Sequence, residues 1–348
     1  MNYQEEIVVF KNDRIGDLMT SVPALRILIK ENKDKLITIF LSKINHKIRF
    51  LFENENVNII ITDYNPSLKD RLLIITYLIK KKISKVFIIR PKNFFFYLPL
   101  IFFLKKTKFY GLCVNDKGNY KRPNTLLRKF LFKKVINDRN TRLIRPTRKQ
   151  LQIDLVTDKN ISKITQNEFN LVLSEELKNI LPKSYCLIHY KHLMFDNLSW
   201  GREGLDKIIK HLLLNFTNVI LINDIDRNDD NNYFRNRYDW YDFKSKKKNF
   251  TSKNILYFEN IDGIDLACCI NFSKITIACH GTITLLGDIL NKPVLDLFYC
   301  SIKNKNDFYR YKNSFHEHVP NNNNYKFIIP KNDIKKTINK MNFALKNG

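Results

Sequence analysis

The chain has 348 residues, 44% of them hydrophobic, which allows two domains of ordinary size and excludes an intrinsically disordered protein. Its formal net charge of +26 favours anionic partners such as nucleic acid, phosphorylated substrates or an acidic membrane. Because the charge is spread along the whole chain, it does not indicate which of these partners the protein binds. The N-terminal residues show no basic start followed by an apolar stretch, so we expect no signal peptide.

Strand and helix patterns alternate through the first half of the chain. Short apolar or β-branched runs predict strands at 7–10, 36–41, 57–61, 85–89 and 108–112. Segments with helical spacing predict helices at 21–29, 71–80, 94–104 and 147–156. Strands separated by helices predict a parallel, doubly wound sheet. Residues 115–182 interrupt this rhythm, and their basic and Asn-rich sequence indicates exposed connections.

The alternation resumes in the second half. Strands are predicted at 185–189, 218–223, 255–258, 274–278 and 294–298, and helices at 204–214, 264–271, 284–290 and 334–345. The sequence therefore predicts an α/β protein with two doubly wound Rossmann-like domains facing across a cleft. Its predicted parts are an N-terminal domain over 1–170, a C-terminal domain over 171–330 and a closing helix over 331–348.

The longest apolar run is 94–104, FFFYLPLIFFL, which is interrupted by Pro99. It is shorter than the ~20 residues that span a bilayer. Two interpretations stay open: a buried helix, or a partly exposed aromatic face that dips into a membrane interface. The lysines that would favour anionic headgroups in the second case are Lys92, Lys105, Lys106 and Lys108.

Six cysteines occur, and none of them forms a C-x-x-C pair: Cys113, Cys186, Cys268, Cys269, Cys279 and Cys300. Most lie in apolar surroundings, which predicts buried free thiols in a reducing compartment. We therefore expect a cytoplasmic protein without a zinc site.

The segment FKNDRIGDLMTSVPALRILIK, residues 10–30, follows the first predicted strand. We expect Gly16 and Asp17 on a loop above the strand ends, with a helix that starts near Thr20 or Ser21. A carboxylate in this position can take a proton from an attacking hydroxyl, although Asp17 could equally cap the helix. Arg14 is either a clamp for phosphate or carboxylate or a solvated loop cation.

A second segment, ITIACHGTITLLGDILNKPVLDLF, contains a strand, a turn and a helix start. Backbone N–H groups at a helix start bind anions, and Gly281 permits close approach of a ligand. Thr282 and Thr284 can add hydroxyl donors. His280 lies above the strand end, where it either contacts a ligand or has no ligand role.

The segment RIGDLMTSVPALRIL resembles the opening motif of glycosyltransferase family 9, the lipopolysaccharide heptosyltransferase-like family. The matching positions are Arg14, Gly16, Asp17, Thr20, Pro23, Ala24 and Leu25. The resemblance implies that Asp17 is the catalytic base and that the first domain binds the acceptor. The turn at 280–284 resembles the family's turn for the donor phosphates, which implies that the second domain binds the nucleotide sugar.

This chain departs from the family pattern at two positions of that turn. His280 stands where the family usually has an acidic residue, and Leu285 where it often has a histidine. Residues 186–209 form a weaker match, in which Trp200 fits but Leu198 replaces a basic residue that holds donor phosphate. Lys191, His192 or Arg202 could substitute for that residue. Asn223 and Glu259 are further candidate donor contacts at strand ends.

The resemblance implies an inverting glycosyltransferase of the GT-B fold type. It would move a sugar, with heptose as one candidate, from a nucleotide sugar to lipopolysaccharide core or a related lipid-linked envelope glycan. The resemblance also implies a metal-independent reaction with no cofactor beyond the donor. We expect the protein in the cytoplasm, peripheral at the anionic inner face of the cytoplasmic membrane, with no nucleic acid partner. The alternatives are a nucleotide-sugar epimerase of similar architecture and a non-catalytic basic protein that binds glycan or RNA.

Overall fold

The computed structural model describes residues 5–89, 94–113, 130–137, 148–159, 169, 171–223, 228–251, 254–261, 263–299 and 323–346. The side chains of 94–98, 112–113, 136–137, 148 and 228 lie outside this description, as do Lys92, Cys300 and most of the basic segment 115–147. The described residues divide into two compact units. Unit 1 holds those up to residue 159, and unit 2 holds those from residue 169 onward.

Unit 1 is built on a six-stranded sheet in which every pair of neighbouring strands is parallel. Its strands are β1 (Glu6–Lys11), β2 (Leu36–Ser42), β3 (Val57–Thr62), β4 (Ile83–Ile88), β5 (Lys108–Cys113) and β6 (Lys134–Asn137). They lie in the order β3–β2–β1–β4–β5–β6. The direction of winding reverses between β1 and β4, and loops that diverge at such a point open a crevice for ligands.

The helices of unit 1 are α1 (Ile15–Met19), α2 (Val22–Glu31), α3 (Leu68–Ile79), α4 (Phe94–Phe103) and α5 (Arg148–Val156), with a 3₁₀ helix at His46–Leu51. A capping box starts α3, because the Ser67 and Asp70 side chains each accept from the other's backbone N–H. Helices α3 and α4 bury Ile74, Leu78, Leu100 and Leu104 against β1 and β4.

Unit 2 repeats the same plan with additional strands at one edge. Its strands are β7 (Cys186–Tyr190), β8 (Val219–Asn223), β9 (Asp239–Asp242), β10 (Lys248–Asn249), β11 (Ile255–Glu259), β12 (Ile275–Ala278), β13 (Val294–Leu297) and β14 (Tyr325–Ile328). The order is β10–β9–β11–β8–β7–β12–β13–β14, and only the β9–β10 pair is antiparallel among the described strands. The winding reverses between β7 and β12.

The helices of unit 2 are α6 (Glu175–Ile180), α7 (His192–Asn197), α8 (Gly201–Leu212), α9 (Asn228–Arg237), α10 (Gly263–Phe272), α11 (Thr282–Ile289) and α12 (Ile334–Lys346). The core on one face of the sheet includes Ile188, Leu221, Ile277 and Leu295 from the central strands, and α12 adds Met341 to it. The predicted fold class of two doubly wound Rossmann-like domains is therefore confirmed.

The apolar run at 94–104 combines features of both interpretations. Leu100 and Leu104 are buried in the core of unit 1, whereas Phe102 and Phe103 are 63% and 62% exposed. No helix among the described residues is long and apolar enough to cross a membrane. Four of the six cysteines are described as buried free thiols, as expected: Cys186, Cys268, Cys269 and Cys279.

A buried ion pair sits at the end of β1. Lys11 is 1% exposed, and its Nζ donates to Asp13 Oδ2 at 2.6 Å. Ser42 Oγ donates to the main-chain oxygen of Asp13 at 2.7 Å, and Asn45 Nδ2 donates to that of Lys11 at 2.8 Å. This network fixes the segment that leads from the sheet into α1.

Removing Asp13 should destabilise unit 1 because the Lys11 ammonium would stay buried without its counter-charge. We expect Asp13→Ala to lower the free energy of unfolding by about 3 kcal/mol or more, as is usual when one partner of a buried pair is lost. Urea denaturation of the variant measures this loss. Lys11→Met is the matched control and should cost much less, since the Asp13 side chain is 14% exposed and can be hydrated. Equal losses in the two variants would contradict the proposed role of the pair.

Candidate functional site

Two loops meet at the point in unit 2 where the winding reverses. Lys191 directly follows β7, and the turn at Cys279–Gly281 directly follows β12, the neighbouring strand. Lys191 Nζ donates to the main-chain oxygen of His280 at 3.3 Å. The Cys279 thiol contacts the main-chain oxygen of His189 at 3.0 Å. The carboxyl edge of the sheet therefore presents an ammonium group beside a glycine turn.

Gly281 allows this turn to lead into α11. It is the N-cap residue of that helix, with φ 150° and ψ −139°, a conformation that residues with a side chain rarely adopt. A Cβ at this position would still have room, because its nearest neighbours would be Cys279 O at 3.9 Å and Lys191 Nζ at 4.0 Å. The glycine is thus required by the backbone conformation, and the first N–H groups of α11 form an anion-binding end.

Among the three candidate cations for the donor phosphate, the structure favours Lys191. The Arg202 guanidinium donates to Asp230 Oδ1 at 2.6 Å. His192 lies between Asp196, at 2.6 Å, and the same Asp230, at 3.1 Å. Both side chains are therefore held by carboxylates, whereas the Lys191 ammonium lies at the turn itself.

His280 is held by a carboxylate that the sequence analysis did not select. Its Nδ1 lies 2.6 Å from Oδ2 of Asp296, a fully buried residue of β13, and its ring packs on Phe298 with centroids 4.2 Å apart. Since a carboxylate only accepts, Nδ1 carries the proton in this contact. No partner for Nε2 is present among the described residues, so this nitrogen is available to a ligand.

Asp296 also accepts from Thr284 Oγ1 at 3.2 Å and from Tyr325 OH at 2.9 Å. The sequence did carry a signal for this residue, because a lone acid within the apolar strand VLDL must have partners when buried. Its partners could not be named before the strand order was known. Thr284 is fully buried, and its hydroxyl is engaged with Asp296. Thr282 is half-buried at the first position of α11.

His189 adds a neutral imidazole beside the turn. Burial, together with the nearby Lys191 charge, lowers the pKa of His189 to about 3. Its Nδ1 has no hydrogen-bond partner within the described part of the chain. A buried polar atom without a partner is costly, so His189 is an additional candidate contact that the sequence analysis did not select.

Trp200 has a packing role in unit 2. It is 6% exposed, and its Nε1 donates to the main-chain oxygens of Lys331 and Asn332, at 3.1 and 2.9 Å. A Cβ on Gly204, one turn later, would lie 2.5 Å from the Trp200 Cβ. These contacts join α8 to the start of the C-terminal helix and give no support to a donor contact.

Glu259 and Asn223 end their strands as expected, but both belong to a local network. Arg235 donates to both carboxylate oxygens of Glu259 at 2.8 Å, and Asn231 Nδ2 donates to Oε1 at 3.1 Å. Asn223 Nδ2 donates to Asn231 Oδ1 at 3.1 Å. Because the Glu259 carboxylate is already paired, its surroundings do not favour a contact with ribose.

The opening motif of unit 1 differs from the predicted loop. Gly16 and Asp17 lie within α1, where the exposed Arg14 is the extended N-cap residue. Gly16 is not among the glycines with positive φ, so its backbone needs no special conformation. The predicted loop was wrong because the Leu18 N–H bonds to Arg14 O at 3.0 Å and closes a helical turn. No typical capping residue marks the start of this turn in the sequence.

Asp17 lies half-buried in the first turn of α1, close to the point where the winding of unit 1 reverses. Its main-chain oxygen accepts from Thr20 Oγ1 at 2.8 Å and from Ser21 Oγ at 3.2 Å. Thr20 is itself buried, with Gln152 Nε2 at 3.4 Å from its hydroxyl. Thr20 therefore links α1 to α5, and the N-cap position of α2 is Ser21, not Asp17.

Comparison with solved structures defines the class of fold. Heptosyltransferase II of E. coli superposes with a TM-score of 0.63 at 16% identity, covering 98% of this chain and 99% of that chain. E. coli heptosyltransferase WaaC with ADP-2-deoxy-2-fluoro heptose gives 0.60 at 11% identity, with 99% and 100% coverage. The chain therefore has the two-domain GT-B fold, and the resemblance read from its motifs is confirmed at the level of the fold.

UDP-GlcNAc 2-epimerase from Neisseria meningitidis, bound to UDP-GlcNAc, is also similar, with a TM-score of 0.52 at 12% identity. The similarity covers 98% of this chain and 91% of that chain. No protein-family model matches the sequence, and no curated protein matches it by sequence comparison. This chain is thus similar in fold to heptosyltransferases of E. coli and, less closely, to this epimerase.

The Asp296 contact should fix the tautomer of His280. We expect neutral His280 to carry its proton on Nδ1, and Asp296→Asn to shift it toward the Nε2-protonated form because the new amide can donate to Nδ1. Nitrogen NMR shifts of histidine-labelled protein report the tautomer, and with seven histidines in the chain a His280→Gln variant assigns the signal.

Tyr325→Phe is the control for that experiment, because it removes another donor to Asp296 and leaves the His280 contact in place. It should leave the tautomer unchanged. The same tautomer in the wild type and in Asp296→Asn would show that this carboxylate does not orient the ring.

Proposed function

We propose that the chain is an inverting glycosyltransferase of the heptosyltransferase-like family 9, which moves a sugar from a nucleotide donor onto lipopolysaccharide core or a related lipid-linked envelope glycan. One observation carries the proposal: the donor-side turn of unit 2. There the Lys191 ammonium lies against His280 and Gly281, at the first N–H groups of α11. An ammonium and a helix N-terminus together suit a diphosphate.

In this proposal the donor diphosphate binds at the turn, and its negative charge is stabilised as the sugar departs. His280 Nε2 meets a donor oxygen, since Nδ1 is engaged with Asp296. Asp17 takes the proton of the acceptor hydroxyl while the hydroxyl oxygen attacks the anomeric carbon. The bond to the diphosphate breaks in the same step, which inverts the anomeric configuration.

The choice of sugar rests on analogy with WaaC, whose structure was solved with an ADP-heptose analogue. The changes at His280 and Leu285 leave other nucleotide sugars open, so heptose is the first donor to test. The same proposal places the protein in the cytoplasm, peripheral at an anionic membrane surface, with a metal-independent reaction and no cofactor beyond the donor.

The donor site predicts selective stabilisation by one nucleotide diphosphate. A thermal-shift screen of ADP, UDP, GDP and CDP should raise the melting temperature with one base, because a ligand that binds only the native state stabilises it, by ~2.7 kcal/mol at a concentration of 100 Kd. Lys191→Met should weaken that nucleotide about tenfold, which corresponds to ~1.4 kcal/mol. Calorimetric titration measures the affinities.

Lys210→Met is the matched control, since Lys210 is an exposed lysine of the same unit on α8. It should bind the nucleotide as the wild type does. Failure of every nucleotide diphosphate and nucleotide sugar to bind would refute the proposed donor site.

If Asp17 is the catalytic base, its loss should reduce turnover without weakening the binding of the donor. Asp17→Asn keeps the shape of the side chain and the main-chain contacts of Thr20 and Ser21. We expect kcat for transfer to fall about 10²- to 10⁴-fold, the usual range for a general base, with an unchanged Kd for the nucleotide. Release of nucleotide diphosphate in the presence of acceptor measures kcat.

Asp34→Asn, an exposed acid in the same unit, serves as the control and should keep full turnover. Full activity in Asp17→Asn would exclude this residue as the base.

An epimerase is the second candidate because of the shared fold, and it would interconvert nucleotide sugars when no acceptor is present. Such a product would overturn the transferase proposal.

A further inference from the structure

Unit 1 exposes a group of large apolar side chains on two neighbouring helices. The exposed residues on α3 are Leu68 at 74%, Leu72 at 56%, Leu73 at 60% and Ile79 at 45%. The end of α4 adds Phe102 at 63% and Phe103 at 62%. These six residues are called the apolar face. Exposed apolar residues scattered singly are ordinary, whereas a group of this kind marks an interaction surface.

The packing of the two helices places the apolar face opposite the core. Ile74 and Leu78 of α3 are buried against the sheet. At about 100° per residue, Leu68, Leu72 and Ile79 fall within roughly 40° of one another, and Leu73 lies about 100° to 140° from them. The four side chains together cover the side of α3 that faces away from Ile74 and Leu78. Helix α4 contacts α3 and buries Leu100 on the same face of the sheet. The apolar face is therefore the outer surface of this layer.

Exposed lysines lie close in sequence to the residues of the apolar face. They follow each helix directly or lie at its start, and they form what is called here the lysine rim: Lys69, Lys80, Lys81, Lys82, Lys105 and Lys106. The acid on the same helix, Asp70, is engaged in the capping box with Ser67. Lysines beside apolar side chains match the anionic headgroups and the acyl boundary of a bilayer.

We infer that α3 and the end of α4 dock unit 1 onto an anionic lipid bilayer. The helices have 12 and 10 residues, which is too short to cross a bilayer, so they lie at its interface. A second copy of the chain is a poorer occupant, because pairing this face with itself would bring two lysine rims together. The biological purpose of this docking rests on the proposed function, because a transferase held at the bilayer could reach a lipid-linked acceptor.

Vesicle flotation of the full chain tests the inference. The wild type should bind vesicles of phosphatidylcholine mixed with phosphatidylglycerol, and bind far less to phosphatidylcholine alone. The double variant Leu72→Gln/Leu73→Gln and the triple variant Lys80→Gln/Lys81→Gln/Lys82→Gln should each weaken binding about 10-fold or more. High salt should weaken the wild type and have little further effect on the triple variant.

Unit 2 supplies matched controls. Leu214→Gln replaces a leucine that is 78% exposed, and Lys244→Gln/Lys247→Gln/Lys248→Gln replaces three exposed lysines close in sequence. Both controls should bind vesicles like the wild type. The melting temperatures of all variants should match the wild type, because every replaced side chain is exposed.

Three results would overturn the inference. The first is a wild type that does not bind anionic vesicles, and the second is equal weakening by the control variants. The third is concentration-dependent dimerisation in light scattering that Leu72→Gln/Leu73→Gln abolishes, which would assign the face to a second copy. Vesicle binding needs no nucleotide, so it can succeed or fail separately from the transferase assay.

Discussion

The buried carboxylate of Asp296 is the constraint on which the turn at 279–281 of unit 2 depends. A charged group withdrawn from water is tolerated only where donors compensate it. Here the donors come from three parts of the chain: His280 in the turn, Thr284 in α11 and Tyr325 in β14. The same interaction therefore orients the imidazole, fixes the start of the helix and holds the edge strand in register.

Both sheets concentrate charge at their carboxyl edges, and each does so with its own network. Unit 1 ends β1 with the buried Lys11–Asp13 pair, from which the chain enters α1 and Asp17. Unit 2 ends β11 with Glu259, paired with Arg235. The charged side chains in these networks bond to other residues of the chain, although their positions at strand ends would suggest a role in ligand binding. They leave Lys191, His280 and the start of α11 as the groups on which the proposed donor site rests.

Ten of the fourteen described strands were predictable because apolar runs mark them directly, whereas the short strands β6, β9, β10 and β14 were not predicted. Helix α9 escaped detection because NDDNNYFRNR has no apolar stripe, although its acids at the start and arginines at the end suit the helix dipole. Helix α1 escaped because Arg14 is not a usual N-cap residue. Asp296 and Trp200 depend on contacts between distant segments, so their partners could be read only from the tertiary structure.

The bond from the Trp200 indole to residues 331 and 332 has a consequence for biosynthesis. Strand β14, helix α12 and the acceptors of that bond all lie after residue 322, later in the chain than the rest of both sheets. A ribosome therefore releases unit 1 with its sheet complete while unit 2 still lacks an edge strand and part of its core. Since domains generally fold in order of synthesis, the second unit matures only after residues 325–346 have been made, and a nascent chain stalled before residue 323 would expose the apolar surface that α12 normally covers.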